Sequence, residues 1–211
     1  MEDSEKRLEE LAANCFQWQE FEGVKNSKDC VLIKASALAR AVTSWGVHNV
    51  EAVQSTLSDP RFSESFAVDT TDRRWWDVYY DFLLYFIHIA DREAFDCLGE
   101  YRGIFMDRLT IEVAKICSGH FEDDKQAAMF KANFPKYYNQ FQIEFGKYQR
   151  GAVNNSENLQ FQFARRILTR FGLDKHMELI FLVLTNVTGS EIILNIAGLV
   201  TDIRWKRCGR G

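Results

Sequence analysis

Apolar residues recur along this chain at three- and four-residue steps, the spacing that gathers side chains on one face of an α-helix. Leu8, Leu11, Ala12, Cys15 and Trp18 predict a helix over 4–21, broken by Gly23 and Asn26-Ser27. Val31, Ala35, Leu38, Ala39 and Val42 predict a second over 29–45, capped by Ser27 or Asp29 and ended by Gly46. A short helix over 49–57 and a turn at Asp59-Pro60 follow, then an irregular stretch over 60–72. Residues 73–98 read as one long helix stopped by Gly99. Helices over 101–118, 123–148 and 156–171 come next, with a kink or restart at Pro135 and a turn over 151–155.

The segment 177–200 holds two apolar runs separated by Thr188-Gly189-Ser190. Two core helices or two strands with a turn both fit, because short apolar runs do not distinguish helix from strand by period. The helix formers Met177, Glu178 and Leu179, and Glu191 after a Ser190 cap, favour helices. Neither run reaches the ~20 apolar residues that a bilayer-crossing helix needs.

The expected fold is therefore all-α, an irregular bundle of about seven helices around the helix 73–98. Residues 1–211 form a single helical domain in this reading, with 1–22 as a peripheral N-terminal helix that packs on the bundle or reaches to a partner. The central element, RRWWDVYYDFLLYFIHIADREAF, is apolar nearly all round, which marks a helix surrounded by others. At about 100° per residue its polar exceptions Asp77, Asp81, His88, Asp91 and Arg92 share one face. Carboxylates and an imidazole on one stripe have the chemistry to bind a ligand or to move a proton. The same stripe also suits a paired Asp–Arg–His network that orients neighbouring helices, the commoner arrangement, since buried charges are usually paired. Asp81 and His88 lie two turns apart, roughly 10 Å along the axis, too far for one metal ion. His88 with Asp91 is only half a site, so no metal is assigned.

Motifs for cofactor or nucleophile chemistry are missing from the sequence. It has no Glu-x-x-His, His-Glu-x-x-His, G-x-G-x-x-G, phosphate-binding G-x-x-x-x-G-K-[ST] or G-x-S-x-G. No cofactor is expected. Cys117 and His120 are close in sequence but lack an identifiable orienting group, and His48 and His176 read as surface or capping residues. Arg165, Arg166 and Arg170 form a basic cluster set opposite the Ile167/Phe171 face, and Arg204, Lys206, Arg207 and Arg210 form another. An anion or nucleic-acid contact is the functional reading of these clusters, a solvated helix face and a dipole-matched C-terminus the default one. Tyr137, Tyr138, Phe141, Phe145 and Tyr148 make an aromatic stripe suited to helix packing, or alternatively to a ligand groove.

Composition narrows the function classes. The formal net charge is −4, whereas nucleic-acid binders draw affinity from a basic surplus. Cys15, Cys30, Cys97, Cys117 and Cys208 are odd in number and form no C-x-x-C pair, as expected of free thiols in a reducing compartment. The start, MEDSEKRLEE, lacks the apolar core of a signal peptide, so the expected location is cytoplasmic. The sequence thus reads as a non-enzymatic helical binding or protein-interaction module. Its expected partner is another protein or a second copy of itself, with nucleic acid disfavoured and no membrane; regulatory nucleic-acid contact through Arg165, Arg166 and Arg170 is a weaker third reading. The alternative is a helical protein or enzyme that binds a small ligand or metal in a polar pocket on the 73–98 helix.

Overall fold

A computed structural model describes residues 27–58, 73–148, 158–175, 177, 179, 180, 183 and 196–200. Among them lie five α-helices, one 3-10 turn and no strand, so the all-α class holds. The elements are α1 (Ser27–Leu57), α2 (Arg73–Cys97), the turn Gly99–Tyr101, α3 (Arg102–Ser118), α4 (Asp124–Phe145) and α5 (Leu159–Thr169). The described positions of 177–200 are all helical as well. The helix expected over 4–21, the Asp59-Pro60 turn, the stretch 60–72, the turn over 151–155, His176 and the C-terminal basic cluster lie outside the described residues.

Each helix follows from its local sequence, with three departures. The predicted core positions of α1, Val31, Ala35, Leu38, Ala39 and Val42, are all buried. Gly46, however, does not end this helix, which continues as one element to Leu57. The glycine serves packing instead. A Cβ at this position would meet Tyr79 Cε2 at 2.8 Å and Leu83 Cδ2 at 3.1 Å. The missing side chain lets α2 approach closely, and that is the alternative use of a glycine inside a helix. The second departure is the start of α5, expected at 156. Asn158 is its N-cap, with Oδ1 accepting from Gln160 N–H at 2.7 Å and Phe161 N–H at 3.3 Å. At Pro135 α4 continues unbroken from Asp124 to Phe145. Where α2 and α5 do end, Gly99 (φ 52°) and Gly172 (φ 71°) take the left-handed backbone that L side chains avoid.

Ten consecutive residues of α2, Asp81 to Ala90, are buried, as expected of a helix packed on every side. The stretch Lys28–Leu57 is long and apolar enough to cross a bilayer, yet 67% of its apolar window is buried inside the fold. Its hydrophobicity thus matches a core face.

The chain groups into two compact units. The first includes α1 to Trp45, α2 from Phe86, α3 and α4 to Tyr138. Here Trp45 meets Phe86 edge-on at 6.4 Å, and Arg108 Nε donates to Ser36 Oγ at 3.0 Å, tying α3 to α1. The second includes α1 from Gly46, α2 to Tyr85, α4 from Asn139 and α5. Its aromatic core centres on Phe163. That ring stacks on Tyr85 at 4.1 Å and meets Phe82 edge-on at 5.3 Å, while Phe141 stacks on Phe145 at 4.3 Å. Such pairs add about 0.5–1.5 kcal/mol each beyond their buried area.

Candidate functional site

Asp81 of the α2 stripe meets Arg166 and Arg170 of the basic cluster, far off in sequence, in the second unit. On α5, Leu159, Phe163, Ala164, Ile167 and Leu168 form the buried face. Arg166 and Arg170 stand one turn apart on the flank of that face, about 60–100° from Ile167, rather than on its back as expected. From the flank they reach Asp81, whose side chain is only 2% exposed. Asp81 Oδ1 accepts from Arg166 Nε at 2.9 Å and Arg170 Nη2 at 3.2 Å, and Oδ2 accepts from Arg170 Nε at 2.9 Å.

The network extends outward through Arg166. Its Nη1 donates to Glu144 Oε2 at 2.6 Å, a charge-assisted distance. The same guanidinium lies over the Phe141 and Phe145 rings at 5.6 and 5.5 Å, a cation–π seat that restricts its swing. The Asp81 hydrogen bonds hold the Arg170 guanidinium above its ordinary pKa. Burial opposes this, and the charges of Asp81, Asp77 and Glu144 add to it. Arg170 is therefore a permanent cation.

Beside α5 opens a cleft of about 430 Å³, lined by Glu144, Tyr148, Gln162, Arg165, Arg166 and Arg170 among others. No member of the α2 stripe lines it. Asp81 sits behind the arginines, not in the cleft. Arg165, half exposed, holds its Nη2 3.9 Å from Asp174 Oδ2, beyond hydrogen-bonding range.

The remaining stripe residues go elsewhere. Asp91 accepts from Arg102 through two hydrogen bonds, at 2.8 and 2.9 Å, in the first unit. That pairing raises the Arg102 pKa, the hydrogen bond being the larger cause and burial opposing it. His88 is buried, and Asp77 and Arg92 are half-buried. Among the described residues no group of three His, Cys, Asp or Glu is placed to hold a metal ion. Cys117 is buried and His120 exposed at the end of α3. His48 Nδ1 lies 3.4 Å from Glu51 Oε2 on the surface of α1. Within the aromatic stripe Phe141 and Phe145 are buried, Tyr138 and Tyr148 half-buried and Tyr137 exposed.

Sequence reasoning passed over Glu144, Arg102 and the buried Lys34. For Lys34 a signal existed, because it interrupts the Val31–Ala35–Leu38 apolar spacing. For Glu144 and Arg102 there was none, since both act through partners on other helices. A carboxylate with both oxygens held by guanidiniums is a poor base or nucleophile. The chemistry available to this cluster is the holding of helices and the presentation of guanidinium donors to the cleft. No protein-family model matches the chain, and neither a curated protein nor a solved structure is significantly similar to it.

Proposed function

We propose that this protein is a non-enzymatic helical binding module of a reducing, cytoplasmic setting, acting through a protein partner or a second copy of itself. One observation carries the reading. Asp81 and Asp91, two of the stripe's three carboxylates, are engaged by arginines: Asp81 by Arg166 and Arg170, Asp91 by Arg102. Ion pairs of this kind spend acid–base potential on helix placement. Two further features support it. Large apolar side chains stand exposed on several helices, notably Phe95 (67%), Met129 (65%) and Ile143 (81%). Cys97 is an exposed free thiol. The alternative, a ligand or metal pocket along α2, has less support, since the cleft is lined from α4 and α5 instead.

Native mass spectrometry of the gently purified protein tests the proposal. The expected spectrum shows an oligomer that dissociates on dilution, or a co-purifying polypeptide. A monomer at every concentration, carrying a metal or small-molecule adduct that His88→Ala removes, would overturn it.

A further inference from the structure

The cleft beside α5 combines fixed guanidiniums with unused donors. We propose that it is an oxyanion site. Arg165, Arg166 and Arg170 take a phosphate or carboxylate group, Asp81 positions the inner two guanidiniums from behind, and Glu144 is the chain's own competing carboxylate. This goes beyond the interaction-module reading and does not depend on it, because an oxyanion can bind whether or not the chain self-associates.

The donor inventory comes first. A guanidinium carries five N–H donors. Asp81 and Glu144 together take two of those on Arg166, and Asp81 takes two of those on Arg170. Both side chains line the cleft and remain partly open to solvent, at 25% and 35% exposure. Arg165, at 52%, adds a third guanidinium held less closely. Preorganisation comes second. Asp81 is buried and grips both inner arginines, so binding need not freeze those long side chains, and the ordering cost falls. The third element is Glu144. More than half exposed, its carboxylate still reaches in to 2.6 Å from Arg166 Nη1. A carboxylate oxygen is thus already accommodated at a donor that also lines the cleft.

Charge limits the class of ligand. The lining has three arginines against Glu144 and Asp174, and Asp81 behind them makes the cluster neutral. Affinity must then come from directed hydrogen bonds rather than from a broad positive field. That favours a compact oxyanion over a polyanionic backbone, which a chain of net charge −4 would also repel.

The experiment is calorimetric titration of the full chain with inorganic phosphate and, separately, tricarballylate, at low and high sodium chloride. Saturable binding of at least one probe, weakened by salt, is expected, and the tighter probe identifies phosphate or carboxylate as the natural group. Arg165→Gln, which leaves the Asp81 grip intact, should weaken binding about tenfold. Glu144→Gln should tighten it several-fold by releasing Arg166. Arg108→Gln, on α3 in the other unit, should change nothing. The proposal is overturned if neither probe binds saturably. It is equally overturned if wild type, Arg165→Gln and Glu144→Gln bind alike. Because Glu144→Gln predicts a gain, it remains decisive if Arg165→Gln fails to fold.

Discussion

The Arg170 guanidinium closes on both oxygens of Asp81, Nε to Oδ2 at 2.9 Å and Nη2 to Oδ1 at 3.2 Å, across 89 residues of sequence. This grip fixes the approach of α5 to α2 in the second unit. It converts an apparently reactive carboxylate into a structural anchor.

Removal of the anchor should therefore weaken the fold. Asp81→Asn keeps the shape but leaves two guanidiniums facing a neutral amide. Loss of one member of a buried pair costs about 3–5 kcal/mol, and the partial exposure of both arginines lowers the expectation to about 2–3 kcal/mol. Urea denaturation measures it. In a double-mutant cycle with Arg170→Gln the two losses should sum to more than the double variant loses. Strict additivity would show that the pair contributes nothing as a pair.

Two glycine substitutions should act with opposite signs. Gly46→Ala pushes a methyl group against the Tyr79 ring and should cost about 1–3 kcal/mol. Gly103→Ala, at the start of α3 with nothing within 4 Å, should stabilise by up to about 1 kcal/mol through helix propensity. Thermal melts of the two variants test the close approach directly. A neutral Gly46→Ala would mean that α1 and α2 do not meet there.

Asn158→Ala removes the cap of α5, and with it the hydrogen bonds to the Gln160 and Phe161 amides. The expected loss is about 1–2 kcal/mol, with Asn158→Asp recovering most of it. Because α5 carries Arg166 and is capped by Arg170, hydrogen exchange of its first-turn amides should rise in the alanine variant.

The cysteines should differ in reactivity. Cys97 is exposed, while Cys30 and Cys117 are buried. Desolvation, then the charges of Glu93 and Asp96, raise the Cys97 thiol pKa above its ordinary value. Less of it is thiolate at neutral pH, so alkylation should accelerate at a higher pH than for a free cysteine. Salt should speed it modestly by screening Glu93 and Asp96. Peptide mapping after iodoacetamide checks both points. The Asp81 and Asp91 ion pairs should behave differently towards alkali. The pKa values of Arg102 and Arg170 are raised, so the contribution of these arginines is fully present below the ordinary arginine pKa. It is lost as pH rises from that value through the still higher folded one. No part of it should be lost between pH 7 and 10.

Much of the fold was legible locally. The buried positions of α1, the all-round burial of α2 and the break at Gly99 follow from helical spacing and backbone chemistry, which act over three to five residues. Local signals also misled where one residue type serves two purposes. Gly46 reads as a helix end, and only the nearby Tyr79 ring shows that it marks a close approach.

Helical periodicity alone marked the described chain as helical, and side-chain chemistry singled out Asp81, Arg166 and Arg170 as residues of interest. Both signals are local, because periodicity and side-chain chemistry are properties of short segments. That these three residues belong together, that Asp91 goes instead to Arg102, and that Glu144 joins at the rim follow from the packed helices alone. Which helices lie side by side depends on how whole apolar faces pack. That is a non-local balance, and no window of the sequence contains it.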